Sequence, residues 1–221
     1  MTAIAKKLKK IQSSLPNNVE MVVVTKTRSP KEIDQAISAG AKKIGENRVQ
    51  EAEEKFSTIK QIKHVERRLI GQLQSNKAKK AVKIFDTIDS VGTEKLAKKI
   101  SEAAKKIQKI QRVLIQVNSS GEEAKSGFSL LDKEKIIKCA QNKNIKIEGL
   151  MTMGPNTRNE KDIKRAFEKT KELFEEINKE TNFDMKTLSI GMSGDYKIAI
   201  KEGSTLIRVG TAIFGERNRL V

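Results

Sequence analysis

Several residue types that carry common protein chemistry are scarce in this chain. Its 221 residues include one cysteine, Cys139, one histidine, His64, and no tryptophan. A single cysteine excludes an intramolecular disulfide, and its apolar helical surroundings predict a small buried thiol. One histidine and one cysteine are too few for a His/Cys zinc site. Because His64 precedes a predicted strand, we expect it at the surface and expect no Ser-His-Asp triad.

Long apolar runs are absent as well. The N-terminal segment Met1-Thr-Ala-Ile-Ala-Lys-Lys-Leu-Lys-Lys10 lacks the apolar core of a secretory signal. No stretch approaches the ~18 uncharged apolar residues of a membrane span. The sequence also has neither a Walker A loop nor a G-x-G-x-x-G fingerprint. We therefore expect a cytoplasmic protein without a membrane partner.

The net charge is strongly positive. Lys and Arg total 45 against 28 acidic residues, which gives a formal charge of +17. Such an excess is typical of nucleic-acid-binding proteins, and that function is kept as a distant alternative. However, the basic pairs are dispersed along segments with a helical pattern, at 42–43, 79–80, 98–99 and 105–106, and only one tyrosine is available for stacking on bases. We expect weak polyanion binding and no specific nucleic-acid partner.

Short apolar segments alternate with amphipathic ones along the chain. The segment Glu20–Lys26 contains three consecutive valines, which predicts a strand buried on both faces, and a helix with Ser29 as N-cap follows it. Further strands are predicted at 43–45, 68–71, 85–88, 112–118, 146–151, 187–190 and 206–209. Eight strands separated by helices predict a single-domain (βα)8 barrel over residues 1–221, with an extra helix before the first strand. A doubly wound sheet is the alternative.

In such a barrel, functional groups gather at the carboxyl ends of the strands. Lys26 lies at the end of the first predicted strand. Two interpretations compete: Lys26 begins a solvated loop, or its amine lies in a dry pocket where desolvation makes it a nucleophile. The segments around Ser193 and Thr211 follow the last two strands and supply glycines, hydroxyls and helix starts, which suit an anion. A buried lysine together with a phosphate cradle suits pyridoxal 5′-phosphate (PLP).

Motifs along the chain resemble one family. They are Val24-Thr-Lys26-Thr, Gly45-Glu-Asn47-x-Val-Gln-Glu51, Ile70-Gly-Gln-Leu-Gln-Ser-Asn-Lys77, Lys125-Ser-Gly127, Gly149-Leu-Met151, Gly191-Met-Ser193-x-Asp195 and the closing run from Ala199 to Arg217. They resemble the pyridoxal phosphate homeostasis proteins, which are similar to the N-terminal barrel of alanine racemase. The resemblance extends from about Met21 to Arg217.

The resemblance implies a cofactor, a role and a set of site residues. Lys26 would carry PLP as a Schiff base, and Arg208 would face the pyridine nitrogen. The phosphate-binding positions would be Ser193, Gly210 and Thr211, and the positions near the ring would be Asn47 and Met151. The implied function is binding and buffering of PLP in vitamin B6 homeostasis, without established turnover. PLP-dependent apoenzymes are possible recipients, and we expect a monomer.

The enzyme alternative is an amino-acid racemase. A two-base racemase needs a second proton donor on the opposite face of its substrate. In alanine racemase that tyrosine comes from a C-terminal domain, which this chain is too short to include. The only tyrosine here, Tyr196, is expected to pack or to lie on the surface.

One departure from the family concerns the third strand. In that family, Trp-His usually precedes the Ile-Gly of the third strand. In this chain Arg67-Arg68-Leu69 precedes Ile70-Gly71. Any role of that histidine is lost, and we expect the mouth of the barrel to be more basic at this strand.

Overall fold

The structure is a computed structural model that describes residues 1–122 and 126–216. Strands in these ranges are β1 Glu20–Val24, β2 Lys43–Glu46, β3 Glu66–Leu69, β4 Thr87–Val91, β5 Gln111–Asn118, β6 Phe128–Ser129, β7 Ile145–Thr152, β8 Thr187–Met192 and β9 Leu206–Val209. Helices are α1 Ala3–Gln12, α2 Pro30–Ser38, α3 Val49–Phe56, α4 Ala78–Ile84, α5 Glu94–Lys105, α6 Lys133–Cys139, α7 Glu160–Glu180, α8 Tyr196–Lys201 and α9 Thr211–Phe214. Short 3-10 turns occupy Ile62–His64 and Ser75–Lys77.

Eight of these strands close into a parallel barrel. The order around the barrel is β1, β2, β3, β4, β5, β7, β8 and β9, and β9 pairs with β1 to complete the circle. The remaining strand, β6, pairs only with the end of β5. Each barrel strand is followed by a helix, and α1 precedes the first strand. The predicted (βα)8 barrel with an extra N-terminal helix is therefore confirmed, and the doubly wound sheet is excluded.

Local sequence signals explain where several helices begin. Ser29 and Glu32 form a reciprocal capping box at the start of α2, with Pro30 in the first turn. Thr93 caps α5 by accepting a hydrogen bond from the Leu96 N–H. These contacts satisfy backbone donors that have no partner within the helix, so each helix starts at a defined residue and directs the preceding loop.

Some boundaries differ from the sequence prediction. The first strand ends at Val24, so that Lys26 lies in the turn beyond it, and the fourth strand runs over 87–91 rather than 85–88. Helix α5 ends at Lys105, because Gln108 adopts a φ of 52° and the Lys109 N–H donates back to the Ala104 carbonyl. The short elements β6 and α9 were not predicted.

Apolar packing occurs on both sides of the strands. The larger core lies between the barrel and its helices, and a smaller cluster inside the barrel contains Val22, Leu114, Met151 and Leu206. Cys139 belongs to the larger core, where burial raises the pKa of its thiol to about 12. Its predicted burial is confirmed, and so is the exposure of the His64 side chain. No helix in the described ranges is long and apolar enough to cross a bilayer.

Charged side chains fill the barrel toward the amino ends of the strands, with Glu66 at their centre. Its carboxylate lies 2.6 Å from Lys43 Nζ, 2.6 Å from Arg68 Nη1 and 3.0 Å from Arg112 Nη2, and it accepts a hydrogen bond from Thr87 Oγ1. Burial alone would raise the pKa of Glu66, but the charges of Arg68 and Lys43 and the hydrogen bonds outweigh it and lower the pKa to about 2.

A lowered pKa gives the Glu66 network a defined dependence on pH. The carboxylate contributes fully above its ordinary pKa of 4.5, and this contribution is lost as the pH falls toward about 2. The shift corresponds to about 3 kcal/mol of stability. We therefore expect Glu66→Gln to be less stable than wild type at pH 7, with the difference shrinking between pH 4.5 and 2. Urea unfolding across this range measures it, and a difference independent of pH would contradict the assignment.

The expectation that the mouth of the barrel is more basic at the third strand is wrong. Arg67 lies at the amino end of β3, where its guanidinium makes two contacts of 2.8–3.0 Å with the Asp86 carboxylate. Arg68 is buried inside the barrel and contacts Asp89 at 2.9–3.0 Å, in addition to Glu66. The alternation of side chains along a strand directs the Arg68 side chain into the barrel and the Arg67 side chain out of it. Carboxylates neutralise both arginines at these positions, away from the mouth.

Candidate functional site

A cavity of about 290 Å³ opens at the carboxyl ends of the strands. Its lining contains six of the seven residues predicted for the site: Lys26, Asn47, Ser193, Arg208, Gly210 and Thr211. The structure thus brings together residues that are up to 185 positions apart in the sequence, from Lys26 to Thr211. Two residues of the family motifs, Lys125 and Arg217, lie outside the described residues.

Met151 is the predicted site residue that the cavity does not include. Its side chain is 1% exposed and packs inside the barrel with Leu114 and Leu206. Strand β7 continues to Thr152, so the residue that reaches the mouth with the same inward orientation is Met153, which does line the cavity. The resemblance implied Met151 near the ring, whereas the structure places Met153, and not Met151, in the lining of the cavity.

Lys26 lies in a tight turn two residues beyond β1. Its side chain is half-buried and lines the cavity, whereas the preceding Thr25 is fully buried and the following Thr27 is exposed. Thr27 has a φ of 62°, in the left-handed region that a β-branched residue rarely adopts. The interpretation in which Lys26 merely begins a solvated loop is therefore not supported, since the turn directs its side chain to the cavity.

Hydrogen-bond donors converge at the ends of β8 and β9. Ser193 Oγ accepts hydrogen bonds from the N–H groups of Gly210 at 3.1 Å and Ala212 at 3.4 Å. A side chain at Gly191 would collide with Ala199 Cβ at 2.5 Å, and this glycine has a φ of 94°. Only glycine therefore permits the turn that brings Ser193 next to the start of α9. A hydroxyl and two backbone N–H groups at one point suit an anion.

Arg208 is the buried cation of the site. Its side chain is held by Nη1, which donates to the Ser189 carbonyl and hydroxyl at 2.8 Å, and by Nη2, which donates to the Thr152 carbonyl at 2.7 Å. It makes no ion pair with any carboxylate in the described ranges. Burial lowers the pKa of Arg208 to about 10, with the charges of Asp89 and Asp195 opposing the shift. Arg208 is thus rigidly placed and still protonated at neutral pH.

Asn47 contributes an acceptor without a partner. Its Oδ1 is buried and makes no hydrogen bond within the described residues. The backbone of Asn47 lies so close to Gly71 that a Cβ there would meet the Asn47 carbonyl oxygen at 2.3 Å. Glycine at 71 therefore allows the β2 and β3 loops to approach and sets the position of Asn47 at the cavity wall.

Five further residues complete the cavity: Val24, Ile70, Met153, Met192 and Gly194. The apolar side chains of the four residues other than Gly194 suit the faces of an aromatic ring. The two methionines are each 37% exposed and lie where the cavity meets solvent. Sequence reasoning missed them because their signal is only the inward register of a strand end, which depends on the exact end of the strand.

A larger groove of about 650 Å³ lies at the opposite end of the barrel. Its arginines, Arg67 and Arg112, are paired with carboxylates, and Lys109 Nζ donates to the carbonyls of Val82 and Phe85 at 2.7–2.8 Å. These cations are already engaged within the protein. Among the described residues no group of three His, Cys, Asp or Glu side chains is arranged to hold a metal ion.

Comparisons with known proteins identify the family of this chain. The model of the family described as "Alanine racemase, N-terminal domain" matches residues 1–218. Pyridoxal phosphate homeostasis proteins from Aquifex aeolicus and Synechocystis are each 38% identical, over 91% and 94% of this chain and 88% and 95% of those proteins.

Solved structures show the same barrel. PipY from Synechococcus elongatus, determined with PLP bound, is 33% identical with a TM-score of 0.90 over 96% of this chain and 100% of its own. An alanine racemase from Clostridium difficile is 15% identical with a TM-score of 0.82, and this chain covers 57% of it. The second likeness concerns the fold alone. The sequence resemblance is confirmed: the chain belongs to the family of the pyridoxal phosphate homeostasis proteins, built on the alanine racemase N-terminal barrel.

Proposed function

We propose that this protein binds PLP through a Schiff base on Lys26 and acts in intracellular vitamin B6 homeostasis. The observation that carries the proposal is the presence of a lysine side chain and an anion-binding corner in one cavity, with Arg208 buried in its wall. The names of the relatives and the PLP bound to PipY support it. The proposed functional unit is a single PLP-binding domain over residues 1–221.

The residues of the cavity fit the chemical groups of PLP. The Lys26 amine suits the aldehyde, and the corner formed by Ser193, Gly210 and Thr211 suits the phosphate. Arg208 suits the side of the pyridine nitrogen, and the buried acceptor of Asn47 suits a hydroxyl of the ring. When bound, PLP supplies an electrophilic aldehyde and an electron-accepting ring. The protein supplies the amine, the anion site and a fixed positive charge.

Borohydride reduction tests this assignment on the unmodified protein. The reduction fixes a Schiff base as a stable secondary amine, so peptide mapping then reports which lysine carries the pyridoxyl group. We expect the label on the peptide containing Lys26. A label found mainly on another of the many lysines would overturn the assignment.

The phosphate corner makes a separate prediction. Ser193→Ala combined with Thr211→Val should weaken retention of PLP without removing the covalent adduct, because each hydroxyl is proposed to donate to a phosphate oxygen. Hydrogen bonds to a charged group contribute roughly 1.5–3 kcal/mol each. Dialysis against a competing amine measures the release rate. Unchanged release in the double variant would show that the phosphate binds elsewhere.

We further propose that the protein carries PLP with little turnover. Tyr196, the only tyrosine, begins α8 and packs against an apolar cluster that includes Ile213, which is not the position of a base facing a substrate. A protonated Arg208 next to the pyridine nitrogen disfavours protonation of that nitrogen, because like charges repel. The ring then accepts electrons less readily, which limits chemistry at a substrate carbon.

Exchange of the α-proton of added amino acids in deuterated water tests this account. Arg208→Glu places a carboxylate where it can pair with a protonated nitrogen, so we expect exchange to rise above that of wild type, each corrected for PLP content. A wild-type rate of ~1 s⁻¹ or more would favour the racemase alternative. If both proteins are inert, Arg208 is not what limits turnover.

Three further proposals concern the cellular setting. The protein is proposed to be cytoplasmic and monomeric, with PLP-dependent apoenzymes as recipients of its cofactor. The nucleic-acid alternative predicts binding that falls steeply with salt and a protein without visible absorbance. The charge layout favours only weak polyanion binding: the side chains of Lys79, Lys80, Lys98 and Lys99 in α4 and α5 are exposed, and those of Lys80 and Lys99 are paired with the carboxylates of Glu53 and Glu102.

A further inference from the structure

A cluster of ionisable side chains lies behind the turn that carries Lys26. On the Thr25 side, Thr25 Oγ1 donates to Glu46 Oε1 at 2.7 Å, and Lys55 Nζ donates to the Thr25 carbonyl at 2.9 Å. Glu46 and Thr25 are both fully buried. The residue immediately before Lys26 is therefore fixed through its side chain and its backbone at once.

The residue immediately after Lys26 is held by the same cluster. The Thr27 N–H donates to Glu51 Oε1 at 2.6 Å, and this carboxylate oxygen also lies 2.6 Å from Lys55 Nζ. Thr27 has a φ of 62°, a left-handed conformation that is unfavourable for a residue with a branched Cβ. A charge-assisted hydrogen bond to the Thr27 N–H offsets this cost, so the contact selects the unusual backbone conformation.

Lys55 connects the two sides. Its ammonium contacts the Thr25 carbonyl, Glu46 Oε1 at 3.1 Å and Glu51 Oε1, which uses all three of its donors. The side chain of Lys55 is 12% exposed and that of Glu46 is fully buried, so water screens these contacts little. Burial raises the pKa of Glu46 although Lys55 opposes the shift, whereas in Glu51 the hydrogen bonds from Lys55 and Thr27 outweigh burial and lower the pKa.

We propose that Glu51 and Lys55 are positioning residues that lock the Thr25–Thr27 turn and so present the Lys26 amine to the cavity. Both lie on α3, one helical turn apart, and they touch the backbone on either side of Lys26. The part of the proposal that concerns the amine rests on the proposed function. The locked turn itself does not, because it is defined by contacts within the protein.

The first test uses the protein without cofactor. In Glu51→Ala the Thr27 N–H loses its acceptor, so its hydrogen exchange should become at least about tenfold faster than in wild type. Glu53→Gln is the matched control, because Glu53 lies on the same helix and, within the described ranges, its carboxylate pairs with Lys80 alone, in a contact exposed to solvent. Its exchange at Thr27 should equal that of wild type. Unchanged exchange in Glu51→Ala would overturn the lock.

The second test uses the protein loaded with PLP. Glu51→Ala should release PLP to a competing amine at least about tenfold faster than wild type and Glu53→Gln, with less of the visible absorbance of the Schiff base. Glu51→Gln should recover part of the retention, because its amide oxygen can still accept from Thr27. A merely structural role would lower the melting temperature of Glu51→Ala while leaving the Schiff-base absorbance and release rate unchanged, and that result overturns the positioning role.

The two tests separate the failures. A wild-type protein without a pyridoxyl group on Lys26 overturns the proposed function. Equal exchange at Thr27 in wild type and Glu51→Ala overturns the positioning proposal, whatever the cofactor does.

Discussion

Lys26→Ala should lose the covalent PLP adduct completely while the barrel stays folded. The loss is expected because Lys26 is the proposed Schiff-base lysine and its side chain lines the cavity that holds the phosphate corner. The fold should survive because Lys26 is half-buried in a turn beyond β1, and the neighbouring contacts of Thr25 and Thr27 do not use its side chain. Visible absorbance and mass spectrometry after borohydride reduction measure the adduct.

A matched control comes from a second lysine near the mouth. Lys77 lines the adjacent groove together with Arg48 and Gln74, so Lys77→Ala removes a nearby amine without touching the proposed site. It should retain the adduct at wild-type level. The assignment fails if Lys26→Ala keeps a stoichiometric adduct, or if both variants lose it equally.

The barrel was predictable because its signals are local and repeated. Short apolar runs and helical periodicity mark the βα units, and capping residues such as Ser29 and Thr93 fix the helix starts. The strand-end rule then placed Lys26 and Ser193 at one mouth without knowledge of any contact. Family motifs added Arg208, which pattern alone describes only as a charge within an apolar strand.

What escaped prediction depends on strand ends and on partners distant in sequence. The resemblance implied Met151 near the ring, but β7 continues to Thr152, so Met153 is the methionine whose side chain lines the cavity. Asp89 follows the fourth strand as predicted from the sequence, but it lies inside β4, where it meets Arg68 from the neighbouring strand. No local pattern shows that these two charges neutralise each other, since the contact exists only once the barrel closes.

Asp89→Asn should lower the free energy of unfolding more than Glu66→Gln or Asp86→Asn. Asp89 is fully buried and its two carboxylate oxygens accept from Nε and Nη2 of Arg68, with the charge of Arg208 also close enough to act on it. Although burial alone would lower the pKa of Arg68, Asp89 and Glu66 raise it above its ordinary value. Removing one partner leaves an incompletely compensated buried cation, which costs about 3–5 kcal/mol.

The control is the ion pair between Asp86 and Arg67, the residue that precedes Arg68. Arg67 and Asp86 make the same kind of two-point contact, but their side chains are 33% and 32% exposed. Water can replace what Asp86→Asn removes, so this change should cost under about 1 kcal/mol. Urea unfolding of both variants, with equal m-values, gives the comparison.

A double variant separates lost charge compensation from general damage to the barrel interior. Adding Arg68→Met to Asp89→Asn removes the cation left behind, so part of the lost stability should return, because an apolar replacement of a buried ion pair is often close to neutral. If Asp89→Asn costs no more than Asp86→Asn, the buried pair does not neutralise the barrel interior. If Arg68→Met only adds to the loss, Glu66 alone compensates Arg68, and Asp89 serves Arg208 instead.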